Sequence, residues 1–292
     1  MLYSQVLSRV DRINQRTVPL IDLRIENFDL NQIAESGQCF RMQIQGPDRA
    51  RVVARGRVLE IEKKDKMDYS FSCTEDEFND IWRTYFDLET DYGHFTDSID
   101  PEDEFLRKAA SYGSGIRILR QEPFETLISF IISQRKNIPA IRSSVEKLSR
   151  LCGDRIGDDI YAFPEASAIA GLSEKELGEC SLGYRAPYVR EAARQAACGE
   201  LDLDGWESLP DDELFKNLMS VYGVGKKIAN CVMLFAYHRI AAFPVDVWIK
   251  RIEDQYYGGT FPVSKYPGYA GVLQQYMFAF IRNNYGFLSE NQ

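Results

Sequence analysis

Residues 218–231 read Leu-Met-Ser-Val-Tyr-Gly-Val-Gly-Lys-Lys-Ile-Ala-Asn-Cys, and they concentrate groups that could do chemistry. Gly223 and Gly225 flank a single apolar residue, Val224, between two helical patterns. Glycines at this spacing allow positive φ and close backbone approach. The helix that follows offers unpaired N–H groups at its start, a site suited to a phosphate. This is the pattern of a helix-hairpin-helix, which grips a DNA backbone without reading its sequence. Lys227 adds an amine, and Asp246, in Phe243-Pro-Val-Asp-Val-Trp248, adds a carboxylate nineteen residues on. Taken singly, a lysine near a helix start is a solvated charge and an aspartate before a helix is an N-cap. A nucleotide-binding P-loop is excluded, because Ser220 stands where its first glycine belongs and Lys227 where its Ser/Thr belongs. A dinucleotide fingerprint is excluded too: it needs a glycine at position 228, which is Ile, and a preceding strand.

Hairpin, Lys227 and the Pro-Val-Asp segment together resemble the helix-hairpin-helix DNA glycosylase superfamily, in which the lysine marks the bifunctional members. The chemistry fits such a pair. Breaking a base–sugar bond builds positive charge on the deoxyribose, which a nearby carboxylate stabilises. A neutral amine attacking the anomeric carbon then forms a covalent Schiff base. Lys226 is a candidate neighbouring cation, although consecutive residues on a helix point apart.

From about Asp29 to Phe280 the chain resembles the 8-oxoguanine DNA glycosylase family. Ser36-Gly-Gln-Cys-Phe-Arg41 resembles the segment whose glycine carbonyl accepts the N7–H that only oxidised guanine carries, which makes Gly37 the expected lesion reader. Gln274 and Phe278, four apart and on one helix face, match the residues that read and stack on the flipped base. Cys231 shares a face with Lys227 and matches the family's stacking cysteine. Leu182-Gly-Tyr-Arg-Ala-Pro-Tyr188 resembles the segment that wedges a tyrosine into the base stack and offers an arginine to the orphaned cytosine. Those roles pass to Tyr184 and Arg185. Extruding a base costs a few kcal/mol, so a wedge is physically needed. The chain departs from the animal-type pattern at Arg135, where that pattern has Asn, and at Ala140, where it has a cytosine-reading Arg. Ala cannot hydrogen-bond cytosine, so relaxed selection of the opposite base is expected. Trp248 replaces a phosphate-contacting His.

The elements that must position these groups divide the chain. Val18–Ile25 and Ala50–Glu62 carry Val, Ile and Arg in partial alternation, with turn signals at Gly46-Pro47-Asp48 and Gly56. Residues up to about 80 therefore read as a twisted antiparallel sheet. Thr74 with Glu77 is a helix-start signal for a segment carrying Trp82 and Tyr85. The acidic stretch Asp97–Glu104 is the expected boundary. Beyond it, helices are expected over Pro123–Ser133 (apolar almost all round), Ile138–Leu151, Ser173–Cys180, Ala186–Ala197, Asp211–Val221, Lys226–His238, Val247–Tyr256 and Tyr269–Asn283. The expected fold class is α+β: an N-terminal antiparallel sheet domain (1–104) followed by an all-α helix-hairpin-helix domain (105–292).

Composition bounds what this architecture can do. The 292 residues suggest about two domains. A net charge of −9 excludes a polycation that coats nucleic acid, but not a local basic strip such as Arg135, Lys136, Arg142 and Arg185. Six scattered cysteines and two histidines give no metal-ligand spacing, so no metal or cofactor is expected. No membrane-length apolar run and no leader pattern occur, and Asp11 argues against a transit peptide. A cytoplasmic, monomeric enzyme acting on double-stranded DNA with oxidised guanine is expected, nucleoid-associated if prokaryotic. Two other readings stay open: an alkylpurine glycosylase of the same superfamily, which would lack the lysine, and a non-catalytic helix-hairpin-helix DNA-binding protein.

Overall fold

The structure, a computed structural model, describes residues 19–284. Val18, Asp11 and the N-terminal residues on which the leader expectation rests lie outside the described residues, as do residues 285–292. Five strands, β1 (Ile21–Arg24), β2 (Met42–Ile44), β3 (Arg49–Ala54), β4 (Arg57–Lys63) and β5 (Asp68–Phe71), pair antiparallel in the order β1-β5-β4-β3-β2. The segment Ala50–Glu62 is a hairpin, broken where the turn signal at Gly56 stands. It turns at Arg55 and Gly56, both at positive φ (51° and 66°), and Val53 pairs with Val58. That is the primed turn that suits strand twist. Alternation then sends Ala50, Val52, Leu59, Ile61, Tyr69 and Phe71 to one buried face.

A short helix, α1 (Leu30–Glu35), breaks the expected all-strand segment; Asp29 caps it by accepting from the Gln32 amide at 3.0 Å. Thr74 likewise caps the run from Glu75 to Tyr85, labelled α2, which passes through a π turn at Phe78–Trp82 and buries Phe78, Trp82 and Tyr85 on the sheet.

The rest is helical: α3 (Tyr92–Asp97), α4 (Glu104–Gly113), α5 (Pro123–Ser133), α6 (Ile138–Cys152), α7 (Ala166–Ala170), α8 (Glu174–Glu179), α9 (Ala186–Ala197), α10 (Asp211–Ser220), α11 (Lys226–Phe235), α12 (Val247–Tyr256) and α13 (Ala270–Asn283). A small hairpin, β6 (Arg155–Gly157) with β7 (Ile160–Tyr161), interrupts them. α5 buries Thr126 through Ile132 continuously, as its all-round apolar pattern requires. α11 ends at Phe235, short of His238, whose backbone is left-handed (φ 50°).

The two cores interleave. Phe40, Tyr92, Phe95 and Ile99 lie in the helical core, and Leu119 in the sheet core. Gln38 stitches the crossing: its amide donates to the Arg117 carbonyl (2.9 Å) and accepts from the Leu119 N–H (2.8 Å). Buried Asp87 is a second stitch, accepting from Tyr92 Oη (2.9 Å) and Arg120 Nη2 (3.0 Å), with His238 Nε2 3.1 Å from its Oδ2. Burial alone would push its carboxyl up. The hydrogen bond and charge of His238, with Thr90 and Tyr92, outweigh burial and hold it at about 2. A depressed carboxyl stabilises above its unfolded value near 4 and loses that contribution as pH falls through about 2. Asp87→Asn is therefore expected to cost roughly 3 kcal/mol at pH 5, since it breaks a buried charge cluster. The gap to the parent should close as pH drops from about 4 to 2. Denaturant titrations of both proteins across that range check it, and a gap constant with pH would sink the assignment.

Candidate active site

A cleft of about 1000 Å³ opens between the sheet and the helical core. The sheet side contributes Gly37, and the helical side Phe130, Arg135, Lys227, Asp246 and Phe278. Lys227 is the second residue of α11, half-buried, with Nζ 5.0 Å from the centre of the Phe130 ring. One turn on, Cys231 is buried under it. Burial pushes its thiol up, the charge of Lys227 and a hydrogen bond from it pull it down, and the charge of Asp246 pushes it up. Lys227 and Asp246 both line the cleft, whereas Cys231, expected to stack on the base, is 3% exposed and does not line it.

Asp246 caps α12. Its Oδ1 accepts from the Trp248 and Ile249 amides, both at 2.9 Å. The ordinary reading of this aspartate is therefore true, and it leaves Oδ2 for the cleft that the residue lines. Trp248 lines the same cleft, with the Arg251 guanidinium 5.2 Å from its ring centre.

The hairpin joins α10 to α11. Gly223 has φ +86°, and a Cβ there would stand 2.5 Å from Tyr188 Cγ, so no larger residue fits. Val224 is buried and anchors the turn through its N–H to the Val221 carbonyl (3.0 Å). Gly225 is the N-cap, offers no side-chain cap, and faces open space. The first amides of a helix lack intrahelical partners, and here nothing of the turn covers them. Beside the hairpin stand Tyr222, 56% exposed, and Tyr184, 50% exposed, linked edge-to-face through Tyr188. Tyr222 and Tyr188 carry no role in the sequence reading. The signal was their place in the segments that already carried the hairpin glycines and Tyr184.

Gly37 has φ +77°, and a Cβ there would meet Ile138 Cδ1 at 3.1 Å and Phe278 Cε1 at 3.2 Å. Phe278 lines the cleft as expected. Gln274 does not: it is 3% exposed, its Nε2 donates to the Pro244 carbonyl (3.1 Å), and its Oε1 accepts from Gln275 (2.9 Å). In this structure its amide braces the Pro-Val-Asp loop, and reading a base would require it to exchange those partners.

The expected basic strip is largely spent internally. Arg185 is 7% exposed, and its guanidinium donates to the Gln134 and Leu182 carbonyls, so it does not face a DNA base here. The guanidinium carbon also lies 4.4 Å from the centre of the Tyr184 ring. Lys136 donates to Ser144 (2.5 Å) and to the Ser181 carbonyl (2.7 Å). Arg142 is engaged with Glu35 and the Ala34 carbonyl. Backbone carbonyls took a hydrogen from each of the three, and the Ser144 hydroxyl and Glu35 carboxylate took others from Lys136 and Arg142. Arg135 lines the cleft, exposed, on a left-handed backbone (φ 53°).

Comparison with known proteins identifies the family and the fold. Residues 20–127 match the 8-oxoguanine DNA glycosylase N-terminal domain, and residues 128–260 match the HhH-GPD superfamily of base excision DNA repair proteins. The fold is similar to the apo 8-oxoguanine glycosylase/lyase of Clostridium acetobutylicum, with TM-score 0.84 and 35% identity over 89% of this chain and 96% of that one. It is equally similar (TM-score 0.84, 34% identity, 91% and 98% covered) to the same enzyme in complex with dsDNA containing cytosine opposite 8-oxoG. A probable N-glycosylase/DNA lyase of Methanothermobacter thermautotrophicus is 26% identical over 89% of this chain and 95% of that protein. No helix among the described residues is long and apolar enough to cross a membrane.

Proposed function

This chain belongs to the 8-oxoguanine DNA glycosylase family, and we propose that it excises 8-oxoguanine from duplex DNA and nicks the strand through a Schiff base at Lys227. One observation carries the reading: a single cleft collects Gly37 from the sheet side with Lys227, Asp246 and Phe278 from the helical side. In that scheme residues 1–104 bring the lesion reader and residues 105–292 bring the chemistry. The amides at Gly225 hold a phosphate, and Tyr184 fills the space of the extruded base. Lys227 Nζ attacks the anomeric carbon as the base leaves, and Asp246 supports the positive sugar. The sugar ring then opens: the C1′–O4′ bond breaks, O4′ takes a proton and C1′ becomes an imine with Nζ; loss of a C2′ proton to solvent from that imine breaks the C3′–O bond and expels the 3′ phosphate. A single chain in the cytoplasm, beside the nucleoid in a prokaryote, suffices for this reaction.

The test is a labelled duplex with 8-oxoguanine opposite each of C, A, G and T. Strand cleavage at the lesion is expected with all four. Ala140 presents only a methyl at the first turn of α6, and Arg185 faces inward. One lost base contact is worth ~1–3 kcal/mol, so the four rates should fall within about a hundredfold. An intact strand with every partner would remove the proposal, and a larger preference for C would remove its relaxed selection.

A further inference from the structure

We infer that Glu35, Arg142 and Arg282 form a latch that sets the depth of the Gly37 carbonyl in the cleft, and so act as positioning residues for telling oxidised guanine from guanine. The inference rests on the proposed lesion-reading role of Gly37. Glu35 is the last residue of α1, two before Gly37. Arg142 Nη1 donates to Glu35 Oε1 (2.9 Å), and its Nη2 to the Ala34 carbonyl (2.6 Å). Arg282 Nη1 donates to the Glu35 carbonyl (2.6 Å), and its Nη2 lies 3.5 Å from Glu35 Oε2. These carbonyls end a helix, where acceptors lack intrahelical partners and the dipole favours cations.

The same two helices also wall the space beside Gly37. Ile138 on α6 and Phe278 on α13 are the side chains against which a Cβ at Gly37 would collide. Arg142 and Arg282 follow them by four residues, on the same helix faces. Each helix thus gives one apolar contact to Gly37 and, a turn later, one cation to the segment that carries it. Two separate helices repeating one arrangement tie a loop of the sheet core to the helical core at the point where a lesion would be read.

The reason for such rigidity is chemical. Guanine and 8-oxoguanine would differ at Gly37 by a single N–H donated to its carbonyl, and a hydrogen bond weakens steeply with misalignment. A displacement of 1 Å can cost about a hundredfold in rate. A carbonyl on an untethered loop would recognise both bases poorly.

The test compares single-turnover cleavage of duplexes holding 8-oxoguanine, guanine or a preformed abasic site, each opposite C. Glu35→Lys sets a third cation against the two arginines and should slow 8-oxoguanine excision about tenfold. Abasic-site nicking, which needs no base reading, should stay within about twofold. Glu35→Gln keeps an acceptor oxygen and should recover most of the lost rate, as should the charge-swapped pair Glu35→Lys with Arg142→Glu. A parallel fall on 8-oxoguanine and abasic DNA, with a lowered melting temperature, would make the latch merely structural and overturn the inference. So would an unchanged 8-oxoguanine rate. A parent protein that treats 8-oxoguanine and guanine alike would instead overturn the reading of Gly37 on which the latch depends.

Discussion

Lys227→Gln is expected to abolish the covalent band that borohydride traps between this protein and a duplex carrying 8-oxoguanine. It should also slow excision by roughly a thousandfold or more, the order lost when a covalent nucleophile is removed. Glutamine fills most of the space of the lysine stem, so the contact with Phe130 and the cover over Cys231 survive in part. The loss should therefore appear without a matching change in melting temperature. Lys226→Gln is the control. Lys226 is exposed at the start of α11, and an adjacent helical residue points about 100° away from the cleft-lining Lys227. Its variant should keep the band. A band that persists in Lys227→Gln and vanishes in Lys226→Gln would move the nucleophile. A strand that becomes alkali-sensitive without any band in the parent protein would demote Lys227 to a pocket charge.

How much of this arrangement could be read from the chain depended on whether its cause was local. The Thr74 cap, the turn at Gly56 and the Gly223–Gly225 hairpin need only neighbours in sequence, and each is where spacing put it. Helix α1 was missed because its apolar residues, Leu30, Ile33 and Ala34, are too few to show a period, and its cap and ends come from Asp29, Arg142 and Arg282. The charges were the least legible. Arg185 and its carbonyl partner at Gln134 are 51 residues apart, and Arg282 reaches back 247 residues to Glu35. A charge pattern shows where cations stand along the chain, whereas tertiary packing decides which are consumed by carbonyls. Gln274 illustrates the same limit, because its spacing from Phe278 places both on one face but not which of them Pro244 will occupy.

Asp246 invites the second large effect because its two roles separate by substitution. Asp246→Asn retains an acceptor for the Trp248 and Ile249 amides, so α12 should keep its cap and the protein its stability. Asp246→Ala loses that acceptor and should be destabilised by about 1 kcal/mol. Both remove the negative charge that the proposed mechanism sets beside the developing sugar cation, a contact worth about 10²–10³-fold in rate. The two variants should therefore be nearly equal in 8-oxoguanine excision and unequal in melting temperature. A preformed abasic site has already lost its base, so the step in which the sugar cation forms is bypassed. Asp246→Asn should trap abasic DNA far better than it excises 8-oxoguanine. Excision by Asp246→Asn within about threefold of the parent would leave the carboxylate with capping alone, because a transition-state charge contact is worth far more than that. Equal losses on both substrates would place its action on the Lys227 amine and not on the sugar, since the amine step is the one the two substrates share.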